Sequence, residues 1–135
     1  MGGGEVARCI GGYGEDRLRS VVFASAVPPY LAKTDDNPDG PLDQATADGM
    51  ESGLKGDRDA FFATTGFRED LTKVTVPTLV IHGDSDGVVP FEGSGKRTHE
   101  AIAGSELALL QDAPHGCNVT DAEAFNRALL AVVAK

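Results

Sequence analysis

Val74-Thr75-Val76-Pro77-Thr78-Leu79-Val80-Ile81 is the longest apolar run in the chain, and it leads directly into the turn-forming string His82-Gly83-Asp84-Ser85-Asp86-Gly87. A continuous apolar run of this length, bounded by turn residues, predicts a strand covered on both faces, as strands of parallel sheets are. Pro77 falls near its start, where a ladder donor can be spared. The run is far too short to cross a bilayer.

Around this strand the chain alternates. Met1 to Tyr13 opens on three glycines and then places Val6, Cys9, Ile10 and Tyr13 on one helical face, with Gly14 as the stop. Val21-Val22-Phe23-Ala24 reads as a first strand, buried on both faces and closed by Pro28-Pro29. Lys33 to Pro41 is dominated by turn formers and reads as a surface loop, and Leu42 to Phe62 as one or two weak, glycine-interrupted helices. After the Val74–Ile81 strand come a short helix over Ser94 to Ala103, a strand over Glu106 to Leu110 and an amphipathic helix over Asp121 to Ala134. Thr120 is its expected cap and Glu123 the partner in a capping box, with Ala124, Phe125, Ala128, Leu129 and Val132 facing inward. This order predicts an α/β fold, a parallel three-stranded sheet flanked by helices, with the strand carboxyl ends along one edge.

Composition narrows the function classes. A chain of 135 residues, 41% hydrophobic, suits one domain, taken as 1–135 with a cap or loop insert at about 30–70. The net charge of -9 disfavours nucleic acid and anionic membrane surfaces as partners. Cys9 and Cys117 make no disulfide framework and no metal-ligand spacing, so no metal is expected. No secretion signal opens the sequence, which places the expected location in the cytoplasm.

The chemistry concentrates after two successive strands. Asp86 lies just beyond the Val74–Ile81 strand and His115, within Ala113-Pro114-His115-Gly116, just beyond the next. Strand ends of a parallel sheet converge on one crevice, so the two side chains can meet. A carboxylate bonded to one imidazole nitrogen fixes the tautomer and stabilises the imidazolium that forms when the other nitrogen takes a proton. An acid followed by a histidine is the second and third step of the chain order Ser, Asp, His. Asp84 is the competing acid, less well placed in the loop; His82 and His99 read as a strand-end residue and a helix-surface residue.

Pro77 to Pro90, Ser94-Gly95-Lys96, Thr98-His99-Glu100-Ala101-Ile102 and Ala113-Pro114-His115-Gly116 resemble the C-terminal part of the cofactor-free haloperoxidase and arylesterase branch of the α/β-hydrolases. Ala26-Val27-Pro28-Pro29-Tyr30 with Lys33 to Gly40 is similar to a loop of the same branch. The resemblance covers nearly the whole chain. It implies a truncated α/β-hydrolase fold, Asp86 and His115 as acid and base, and no cofactor. It also implies that Met1 follows the nucleophile serine, its backbone N–H being one oxyanion donor, and that the chain begins just past that serine. Phe62 to Phe67 joins regions that the family separates by further cap helices, which implies a reduced cap.

Ser25, at the carboxyl end of the first strand, is the foremost surrogate nucleophile, with Ser85, Cys117 and the Met1 amine behind it. Two function classes follow. One is a carboxylesterase-type hydrolase acting on short acyl or aryl esters by acyl transfer, with perhydrolysis or haloperoxidation as the family's side activity. The other is a non-catalytic fragment that folds and self-associates. The Val21–Phe23 strand is expected to leave an apolar edge open, and a homo-oligomer joined there is the expected partner arrangement.

Overall fold

The computed structural model describes residues 2–26, 29, 33–38, 40, 42–43, 45–46, 48 and 66–135. The reading of helices between Leu42 and Phe62, and with it the reduced cap, falls largely outside these residues. The elements that position the site are α1 (Gly2–Tyr13), β1 (Val21–Ala24), α2 (Arg68–Leu71), β2 (Thr78–Gly83), a single 3-10 turn (Phe91–Gly93), α3 (Gly95–Ala101), β3 (Glu106–Leu110), α4 (Cys117–Thr120) and α5 (Ala122–Val133).

The three strands form one parallel sheet in the order β1-β2-β3. Val22 pairs with Leu79 and Phe23 with Val80, while Ile81 pairs with Ala108 and His82 with Leu109. Side chains alternate across β2, so its two faces build two cores. Val80 joins Ala7, Ile10, Val21, Phe23, Phe67, Leu71, Val74 and Ile102 beneath α1, α2 and α3. Leu79 and Ile81 join Val132 on the other face, with Phe125 and Ala128 of α5 packed over them. All six residues of β2 are buried, which makes it the centre of the fold.

Several boundaries differ from the sequence reading for local reasons. β2 starts at Thr78 rather than Val74, because the amides of Thr75 and Val76 are turned toward the Glu15 carboxylate, Thr75 N–H at 2.9 Å. Pro77 therefore precedes the strand, and its carbonyl accepts the Val21 N–H at 3.0 Å. Helix α1 ends before Gly14 (φ 79°) as expected, yet it buries Gly4, Ala7 and Ile10, leaving Val6 and Tyr13 exposed. Small side chains let this helix approach the sheet closely, and that outweighs the larger apolar face. β1 is fully buried only at Val21 and Phe23; Val22 is half-buried and Ala24 exposed. Thr120 does not cap α5: it ends α4 and donates to Asp121 Oδ2 at 2.6 Å, and Asp121 occupies the N-cap without a side-chain cap bond.

Candidate active site

The turn after β2 begins at Gly83, where the Ala113 carbonyl presses so close that any Cβ would collide with it. This contact locks the loop after β2 to the loop after β3. Asp84 N–H reaches Leu110 O at 3.0 Å and Ser85 N–H reaches Ala113 O at 3.1 Å, which ties the two loops further. Asp86 on one loop is thereby brought to His115 on the other.

His115 Nδ1 lies 2.8 Å from Asp86 Oδ2. The other carboxylate oxygen, Oδ1, accepts the backbone N–H groups of Val88 at 2.9 Å and Val89 at 2.8 Å. Asp86 is buried, whereas the His115 side chain is 44% exposed. Because the carboxylate is an acceptor, Nδ1 carries the proton of the neutral imidazole and Nε2 presents its lone pair. Among the described residues Nε2 has no hydrogen-bond partner. Burial alone would push Asp86 up, but the Val89 N–H, the His115 imidazole and the Val88 N–H outweigh it and hold the carboxyl below its ordinary value of 3.8. The arrangement can therefore keep a charged carboxylate beside an imidazole whose free nitrogen takes a proton.

The competing acid, Asp84, points elsewhere: it is exposed and accepts from the Ser85 hydroxyl at 3.1 Å. Ser25 follows β1 with a left-handed backbone (φ 41°), unusual for a residue with a side chain, and its N–H is held by Ile81 O at 2.9 Å. Its Oγ lies 3.8 Å from Sγ of Cys117, which is buried in the helical turn that follows His115. Ser25 thus stands at the same edge of the sheet as the Asp86–His115 pair, and its described hydrogen-bond contact is to the thiol. Met1 lies outside the described residues. Both cysteines are free, and no cluster of three or more metal-binding side chains occurs among the described residues. His99 is half-buried, its Nδ1 2.7 Å from Ser105 Oγ, and has no part in this edge.

His82 lies next to the end of β2, the strand-end place expected for it. It is fully buried, with Nε2 2.8 Å from Val89 O and 3.3 Å from Asp86 Oδ2. The sequence signal was its place directly before the Gly83 turn, which marked the strand end but not the direction of the side chain.

No family model matches the chain. Among curated proteins it is 37% identical to the non-heme chloroperoxidase CPO-A1 of Kitasatospora aureofaciens, over 96% of this chain and 64% of that protein. It is 33% identical to the bifunctional esterase/perhydrolase DCH of Acinetobacter calcoaceticus, over 98% of this chain and 64% of that protein. Among solved structures the bromoperoxidase from Bacillus anthracis matches all of this chain and 65% of its own, at 44% identity and a TM-score of 0.86. The chain thus spans about 64% of the length of the curated relatives it matches. These likenesses span nearly the whole chain, and its homologues are non-heme haloperoxidases and esterases of the α/β-hydrolase superfamily.

Proposed function

We propose that this chain carries the base and the orienting acid of an esterase site that acts on short acyl or aryl esters by acyl transfer. The observation that carries the reading is the Asp86–His115 hydrogen bond, on an imidazole whose side chain is 44% exposed and whose far nitrogen has no hydrogen-bond partner among the described residues. His115 Nε2 takes the proton of an attacking hydroxyl as its oxygen adds to the ester carbonyl. The same proton then passes to the departing alkoxide or phenolate. A water molecule, deprotonated in its turn by His115, hydrolyses the acyl intermediate; hydrogen peroxide in its place gives a peracid. That second outcome accords with the perhydrolase and haloperoxidase names of the relatives.

Ser25 is the hydroxyl we assign to the attack from within this chain, supported by its place at the carboxyl end of β1 and its left-handed backbone. Strained strand-to-turn positions are where acyl-transfer serines sit. Met1 takes the oxyanion side in this reading, as a terminal amine in place of the family's backbone N–H. In this reading no cofactor takes part and the setting is cytoplasmic. No helix among the described residues is long and apolar enough to cross a membrane. We further infer a homo-oligomer through the free edge of β1, supported by the place of that strand at the end of the sheet.

Release of p-nitrophenolate from p-nitrophenyl acetate, followed by peptide mapping of any trapped acetyl group, tests the reading. The expected result is release above the buffer rate with acetyl on Ser25, both lost in Ser25→Ala. Release at the buffer rate would overturn the esterase reading in favour of a non-catalytic protein. Release that survives Ser25→Ala but not His115→Ala would move the nucleophile to another residue.

A further inference from the structure

His82 stands behind the pair rather than in it. Its Nε2 faces two oxygens, the Val89 carbonyl at 2.8 Å and Asp86 Oδ2 at 3.3 Å, while Nδ1 is buried with no hydrogen-bond partner among the described residues. Neither oxygen can donate: one is a carbonyl and the other belongs to a carboxylate held in its charged form. The proton between them therefore sits on Nε2.

The residue that His82 grips is the one that feeds the acid. Val89 donates its N–H to Asp86 Oδ1 at 2.8 Å and offers its C=O to His82 Nε2 at 2.8 Å, so it is held from both sides. That N–H is also one of the groups holding Asp86 in its charged form. The imidazole itself has little freedom. Phe91 packs against it with ring centroids 5.7 Å apart, and a side chain at Gly95 would come within 2.7 Å of Nδ1.

We propose that His82 is a positioning residue: its Nε2–H clamps the Val89 carbonyl, which aims the Val88 and Val89 amides at Asp86 and so sets the carboxylate against His115. The proposal rests on the acid and base reading of Asp86 and His115 for its meaning in catalysis, but its test does not use turnover.

Two NMR readouts on the intact chain decide it. In the wild-type protein, long-range 1H–15N correlations of the His82 ring are expected to show the Nε2–H tautomer; an Nδ1–H tautomer would overturn the clamp. Amide hydrogen exchange at Val88 and Val89 is the second readout. His82→Leu should speed it by on the order of tenfold, as loss of roughly one hydrogen bond does, with no like change at Ile81 in β2. His82→Gln, whose side-chain amide can donate in the same direction, should restore slow exchange. Unchanged exchange at Val88 and Val89 in a folded His82→Leu, or faster exchange spread evenly over β2, would overturn the proposal. Should His82→Leu not fold, the ring tautomer and His82→Gln decide: Val88 and Val89 exchange at the wild-type rate supports the clamp, and fast exchange with the fold intact opposes it. Ester turnover enters neither readout, so loss of the esterase reading would leave the clamp standing and the reverse holds equally.

Discussion

Asp86 shows how one buried carboxylate is made affordable: each oxygen is met by donors, Oδ1 by two amides and Oδ2 by His115, with His82 behind. Its native value lies below the ordinary 3.8, so the stability it contributes is present above that pH and is lost as pH falls through the lower native value. Asp86→Asn should therefore be less stable than wild type at neutral pH by about 1–3 kcal/mol, the worth of hydrogen bonds to a charged group, with the gap closing in strong acid. Urea titrations at neutral and acidic pH would show it, and a gap that widened toward acid would contradict the sign. At this scale the sequence was informative where a residue's neighbours are local. Asp86 and His115 follow strands and could be read from that alone. The role of His82 depends on the Asp86 loop folding back over it, and no linear pattern carries that.

At the scale of elements, β2 is where packing and site are coupled. Ile81, completely buried against α5, should cost about 2–5 kcal/mol when cut to alanine, measured by denaturant unfolding. Gly83→Ala has a different signature. Its Cβ would meet the Ala113 carbonyl, a backbone group that can yield only by moving the His115 loop. We expect a stability loss of about 1–3 kcal/mol, as in overpacked sites, together with altered His115 ring resonances; normal His115 signals in this variant would contradict the loop coupling. The three strands and the helices α1, α3 and α5 were legible from apolar runs and turn strings, as at Val21–Ala24 and Glu106–Leu110, whereas the short α2, α4 and 3-10 turn carry no such pattern. The start of β2 was not legible, because Glu15, distant in sequence, takes the Thr75 and Val76 amides. The buried face of α1 was read correctly at Ile10 alone, because close approach by Gly4 and Ala7 beats the burial of Val6 and Tyr13.

For the whole molecule, the consequence of the order β1-β2-β3 is that β1 has β2 on one side and a free edge on the other among the described residues. The Val21 and Ser25 amides bond toward β2, so by alternation those of Val22 and Ala24 point to the free edge. Ala24→Pro removes one such donor without breaking the internal ladder. If chains join through this edge, light scattering should show an oligomer for wild type and a monomer for Ala24→Pro at equal concentration; equal masses would contradict that assembly. The central claim, that His115 works as a base oriented by Asp86, is tested most directly by the rate of p-nitrophenyl acetate hydrolysis in wild type against His115→Ala. A drop of at least about 10²-fold, the usual contribution of a positioned base, is the predicted result, and a rate unchanged by the substitution would contradict it.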